Sequence, residues 1–297
     1  MDRSADPTEH LPNSYVSRRS TEAQAPVGWT RPTGTLGELT DEAHVRAATL
    51  APRAEELSQS IGSLGLPPGF AAALRKDTVA IIAEVKRSSP SKGAINTGLD
   101  LERQVRAYEA GGAAAISILT ESGRFGGSNA DLTLARSSVG IPLLKKDFHV
   151  DPVQILEARV LGASAALVIA RAVSPQCLKE LLKAGHDVGL EILVEIRDVQ
   201  ELELALSLDA RLIGVNNRNL ETLEIDPDTS LRLLPLIPRA VVAVAESGVK
   251  SVADVRRLAS AGADAVLVGS ELSASRDPEA AVRSLTDVRR TASARKS

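Results

Sequence analysis

Glu84 and Lys86 stand two residues apart at the carboxyl end of an almost uninterrupted apolar run, Val79 to Val85. Such a run, short and rich in β-branched residues, reads as a strand buried on both faces. Residues two apart share one face of it. Two ionised groups so placed cost several kcal/mol unless they pair with each other or serve a ligand. The segment that follows, Ser88, Ser89, Pro90, Ser91, Lys92 and Gly93, is a hydroxyl- and cation-rich loop suited to an anion. Further along, polar residues again sit at the ends of apolar segments: Lys145, Lys146 and Asp147 in LLKKDF, Glu195 in LVEI, Asn216 to Arg218, Glu246 to Gly248, and Gly269 with Ser270. Brought together, these lysines and glutamates would form a coupled acid–base set in which each charge shifts its neighbours. Gly248 and Gly269-Ser270 read as a phosphate cradle or as plain turn chemistry.

The elements that must position these residues follow from a repeating pattern. Counting the first, eight apolar segments recur, the others at 113–120, 141–148, 165–170, 190–196, 211–217, 240–247 and 264–270. Amphipathic stretches such as LERQVRAYEAG and VADVRRLASAG separate them. AGGAAAISIL, LGASAALVIA and AGADAVLVGS each close a helix on glycine and enter a strand through small residues. Eight such units with wholly apolar strands predict an α/β fold, a closed (β/α)8 barrel, whose ligand lies at the carboxyl ends of the strands. An open doubly wound sheet would carry a glycine-rich loop after its first strand, and no GxGxxG is present. Before the barrel, residues 1–34 lack an apolar period and read as a disordered tail, as do 291–297 at the other end. The barrel with its N-terminal helices is assigned to 35–290. A helix is expected from Thr40, as N-cap, to about Ser60, divided near Pro52, and a short one from Phe70 to Arg75.

Composition narrows the function. The net charge of −3, with both signs interspersed, and three Phe, two Tyr and one Trp offer no nucleic-acid surface. No apolar run reaches the length of a membrane span, and a cytoplasmic location is the default. Cys177, alone, reads as a small buried apolar residue. His149 could be a base or a satisfied structural side chain, and no His/Asp/Cys cluster has metal-ligand spacing.

IIAEVKRSSPSKG, SILTE followed by RFGGS, LLKKDF with DPVQI, LVEI, GVNNRNLETLEID, VAESGV and VLVGS, in that order, resemble indole-3-glycerol phosphate synthase of tryptophan biosynthesis, from about Pro68 to Thr286. The resemblance implies a barrel enzyme needing no cofactor. It would close the ring of 1-(2-carboxyphenylamino)-1-deoxyribulose 5-phosphate with loss of carbon dioxide and water. Lys146 then matches the general acid, Glu195 the base, Glu84 and Lys86 the pair that polarises hydroxyls, and Asn216 a hydrogen bond to the sugar portion. Ser89 and Arg218 match the substrate-carboxylate site. Ser247, Gly248, Gly269 and Ser270, with Lys86, match the phosphate site, and Phe125, Phe148, Leu167 and Leu220 the slot for the aromatic ring. Glu246 belongs to the same mouth. The expected partner is the small phosphorylated substrate, with a monomer expected and other tryptophan-pathway enzymes possible. Departures are Asn219, where the family usually has Asp, His149, where an aliphatic residue is common, and a segment before Pro68 without the family's usual helix pattern. Rival readings are another phosphate-binding barrel isomerase and a non-catalytic binding paralogue.

Overall fold

The computed structural model describes residues 29–91, 93–291 and 294–295. Eight parallel strands close into a barrel: β1 (Ala80–Val85), β2 (Ala115–Leu119), β3 (Leu143–Lys146), β4 (Ala165–Ile169), β5 (Glu191–Ile196), β6 (Leu212–Asn216), β7 (Val242–Glu246) and β8 (Ala265–Val268). Each pairs with its neighbours in chain order, and β8 returns to β1 with Ala80 beside Ala265 and Ala83 beside Val268. Nearly every strand residue is buried, as a sheet covered by helices outside and filled by side chains inside requires.

The helices fall where the amphipathic stretches predict, among them α4 (Leu101–Ala110), α5 (Asn129–Ser138), α6 (Pro152–Val160), α7 (Pro175–Asp187), α8 (Val199–Ser207) and α10 (Val252–Ala261). Side-chain caps fix their starts: Asp100, Ser128, Asp151, Ser174, Asp198 and Ser251 each accept a first-turn N–H. The three helix-ending glycines of the repeated wording, Gly112, Gly162 and Gly262, take φ of 95°, 90° and 103°, a left-handed turn that a side chain would strain.

Both ends of the chain differ from expectation. Helix α1 (Gly34–Leu50) begins six residues before Thr40, which is buried within it and donates its hydroxyl to the Leu36 carbonyl at 2.7 Å. The start is set by distant contacts instead. Glu221 accepts from the Thr33 N–H at 2.7 Å and hydroxyl at 3.1 Å, and Arg171 donates to the Thr30 carbonyl at 2.6 Å and to Glu221 at 3.1 Å. Residues 29–34 therefore belong to the barrel and not to a tail, while residues 1–28 lie outside the described residues. Pro52 does divide the segment, in a 3₁₀ turn at Ala51–Arg53 ahead of α2 (Ala54–Ile61). The short helix α3 runs Phe70–Leu74, its first N–H groups held by the Glu191 carboxylate. At the other end, Arg295 is buried, pairs with Asp264 at 2.6 Å and donates to the Val241 carbonyl at 2.9 Å. The boundary at 290 thus falls short of the last anchored residue.

Candidate active site

At the carboxyl ends of the strands lies a cavity of about 230 Å³. The residues that the family resemblance assigned to the site line it: Glu84, Lys86 and Ser89 from β1 and its loop, Lys146 and Phe148 at the end of β3, Glu195 from β5, Asn216, Arg218 and Leu220 at and after the end of β6, Glu246 to Gly248 at the end of β7, and Gly269 with Ser270 after β8, whereas Lys145, Asn217 and His149 do not. Phe125 and Leu167 complete the match. Lys92 lies outside the described residues.

Alternation along β1 puts Glu84 and Lys86 on the inner face, where they pair at 2.6 Å. The same alternation separates the two lysines of β3. Lys146 points inward, in an ion pair with Glu246 and 3.5 Å from Glu195. Lys145 points out to Glu157 of α6 at 3.2 Å and to Asp147 at 3.6 Å, so it belongs to the helix layer. Burial alone would lower the Lys146 pKa, but the carboxylates of Glu246, Glu195 and Glu84 outweigh it and hold the ammonium well above its usual range. Burial pushes Glu246 the other way, to about 7, with Lys146 opposing and Glu195 adding to the rise. Glu84 resists its own burial through Lys86 and Lys146 and stays below the usual carboxylate range. The inner ring thus holds carboxyls at different protonation strengths around one lysine.

Asn216 donates from Nδ2 to Glu195 at 2.8 Å and accepts the Arg218 N–H at 2.9 Å, fixing both ends of its amide. Arg218 donates to the Leu223 carbonyl at 2.8 Å. Asn219, the departure from the family pattern, accepts from the N–H groups of Glu221 and Thr222 and shapes the turn. Ser89 sits in a small hairpin in which Ser88-Ser89 pairs with Gly93-Ala94.

Ser247 and Gly248 adopt φ of 64° and 88°, two successive left-handed residues, with the Ser247 carbonyl held by Asn217 at 2.9 Å. Such a backbone makes a tight turn at the strand end, and backbone N–H groups in turns are a common seat for an anion. Across from it, Gly269 and Ser270 open the short helix α11 (Ser270–Ser273), and their N–H groups precede its first intrahelical bond. Ser273 ties this helix to β1, donating to the Glu84 carbonyl at 2.9 Å and accepting the Lys86 N–H at 3.0 Å.

The apolar half of the cavity is formed by Phe125, Phe148, Leu167 and Leu220. The two rings lie 6.3 Å apart, tilted by 40°. Phe125 is placed by Glu121 of the SILTE motif, whose buried carboxylate accepts the N–H groups of Gly123, Arg124 and Phe125 at 2.6, 2.8 and 3.0 Å. Sequence reading missed this, and it missed Thr35 and Leu39 of α1, which close one wall. His149 is not a base at the cavity. It is buried, with Nδ1 2.6 Å from the Leu167 carbonyl, and burial, then Lys145, lowers its pKa to about 3. Cys177 donates to the Val150 carbonyl at 3.2 Å, its thiol pushed up to about 12 by burial.

Paired lysines and glutamates, an apolar slot and the turns after β7 and β8 meet in one barrel mouth, and comparison with known proteins decides the family. The family model for indole-3-glycerol phosphate synthase matches residues 39–285. The chain belongs to that family. Indole-3-glycerol phosphate synthase 1 of Streptomyces coelicolor is 51% identical over 71% of this chain and 78% of its own length. The Beutenbergia cavernae indole-3-glycerol phosphate synthase is 45% identical over 82% of this chain and 90% of its own. Among solved structures, 3-hexulose-6-phosphate synthase from Salmonella typhimurium superposes with a TM-score of 0.56 at 15% identity, covering 70% of this chain and 96% of that one; this likeness shows the barrel fold alone. The synthase family match begins within α1, so residues 39–67 ahead of Pro68 fall inside it.

Proposed function

We propose that Lys146 acts as the general acid and Glu195 as the general base in an indole-3-glycerol phosphate synthase, a decarboxylating lyase of tryptophan biosynthesis acting on a small phosphorylated substrate. The observation that carries the roles is Lys146 held between Glu246 and Glu195 in the cavity that also contains the apolar slot and the turns after β7 and β8.

The substrate's phosphate would rest on Ser247, Gly248, Gly269 and Ser270, with Lys86 offsetting part of its charge. Its anthranilate ring would enter between Phe125, Phe148, Leu167 and Leu220, and its carboxylate would meet Ser89 and the planar fork of Arg218. These anchors bring the ring carbon bearing the carboxylate against the ketone. An ammonium held as strongly as Lys146 gives up its proton only to a base stronger still, and the alkoxide that develops as the ring closes is one. Glu84 and Lys86 would polarise the hydroxyl that leaves. Glu195, oriented by Asn216, would take the proton from the methylene carbon beside nitrogen to complete the indole. A monomeric, cytoplasmic enzyme without a cofactor is part of this reading.

The test is the fluorescence of indole-3-glycerol phosphate formed from the carboxyphenylamino-deoxyribulose phosphate. Lys146→Ala should lower kcat by about 10²–10⁴-fold while the folded variant still binds substrate. A folded wild-type protein that binds the substrate without turning it over would instead be a binding paralogue.

A further inference from the structure

Ring closure consumes a proton. The carboxylate leaves as carbon dioxide and its bonding pair stays on the ring carbon. The ketone oxygen takes up two protons and leaves as water, while the methylene carbon gives up one. That one, removed by Glu195, can return through Lys146, 3.5 Å away. The other must come from solvent in every turnover. Yet a substrate bound as proposed above would fill the aromatic slot and stand in the mouth.

A second cavity, of about 120 Å³, opens behind Glu195. It shares Glu195, Asn216 and Arg218 with the main cavity and runs outward to Arg197, Asp198, Glu201 and Glu221. Asp198 is exposed, so the outer end meets solvent. The volume has room for several waters, and the buried Nε of Arg197 has no protein hydrogen-bond partner, a group that a water there would satisfy. Glu201 stands in the first turn of α8. Its Oε2 accepts the Arg197 N–H at 2.7 Å, and its own N–H is capped by Asp198 at 2.8 Å.

We propose that this side cavity is the entry path for the consumed proton, with Glu201 as the outer relay and Glu195 as the inner one, joined by water. One proton passes from the Glu201 carboxyl through hydrogen-bonded water to the Glu195 carboxylate and on through Lys146 to the departing oxygen. Solvent then reprotonates Glu201. Glu201 touches no substrate and acts through Glu195, so the inference rests on the role assigned to Glu195 above. The charged groups around Glu201 suit a relay. Burial, then Asp198 and, more weakly, Glu195 raise its pKa to about 7, against the Arg197 N–H and the Arg171 guanidinium; Arg218 and Glu221 complete the walls.

The experiment is kcat against pH for the full chain, wild type beside Glu201→Gln and Glu201→Asp. Because the relay needs the protonated carboxyl, wild-type kcat should fall as pH rises through about 7. Glu201→Gln keeps an oxygen for the Arg197 N–H and so keeps the helix start. It should lose about ten-fold in kcat near neutrality with KM within about two-fold, lose that ionisation from the profile, and recover when protonated imidazole is added as a small donor. Glu201→Asp should retain the ionisation. A Glu201→Gln profile superimposable on wild type, or a loss that no small donor relieves, overturns the relay. An inactive wild type would overturn the assignment of function itself, a separate outcome.

Discussion

A methyl group added at Gly214 of β6 would overlap Oε1 of Glu246 on the neighbouring strand, and one added at Gly269 would lie 2.5 Å from Oε1 of Glu84. Both carboxylates are buried and paired, so neither can step aside without moving its lysine. Gly214→Ala should therefore displace Glu246 from Lys146 and lower kcat by about ten-fold or more, since small misplacements of reacting groups are costly; steady-state kinetics on a variant with a native circular dichroism spectrum checks this. His149 supplies a second prediction at this scale. Its folded pKa of about 3 lies below the ordinary 6.5, so its contribution to stability is complete above about 6.5 and is lost as pH falls toward 3. The neutral ring donates from Nδ1 to the Leu167 carbonyl, and protonation would make Nε2–H a buried donor with no acceptor. Denaturant melts of wild type and His149→Gln should thus converge as pH falls from 7 to about 4, with the variant's pH slope the flatter.

The elements at the mouth are joined by charge, and the joints lie far apart in sequence. Glu221 links the start of α1 to Arg171, while Arg124, beside Phe125, pairs with Glu38 of α1, and Ser88 donates to the Arg124 carbonyl at 3.0 Å. Asp147 accepts from Arg46 of α1 at 2.9 Å and from Thr120 at 2.5 Å. Helix α1 thus closes the cavity through contacts with three of the loops that line it. Glu221→Ala should loosen the first turn of α1 and raise KM several-fold more than it lowers kcat, read from the same fluorescence assay. These joints explain what was legible. Strands, their order and the inward Glu84, Lys86, Lys146 and Glu195 follow from local apolar runs and period-two alternation, which any segment carries by itself. The beginning of α1 does not, because Thr33 and Gly34 are set by Glu221 almost two hundred residues away. A stripe of Leu36, Leu39, Ala43 and Ala47 was present to be read, but half of it is alanine and it adjoins a polar stretch. Likewise the partner that Lys145 meets on the outer face, Glu157 of α6, is one that no local pattern reveals.

At the scale of the molecule, a barrel has no free edge, and the last strand must find the first. Ser273 secures that closure at the mouth, and the C-terminal residues secure it below. Asp264, just ahead of β8, receives Arg290 and Arg295 and accepts the Ala243 N–H of β7 at 2.8 Å. Removing one cation leaves the buried carboxylate half-paired. Arg295→Ala should cost about 2 kcal/mol of unfolding free energy without changing KM, because no atom of that cluster lines the cavity; chemical denaturation and kinetics on one preparation separate the two effects. The two ends of the described chain thus serve opposite faces, α1 at the mouth and Arg295 beneath the strands. For anyone attaching this protein to a surface or joining it to a second enzyme, a tether on the face around Arg290 leaves the entrance clear, whereas one on the first turn of α1 would stand at the doorway.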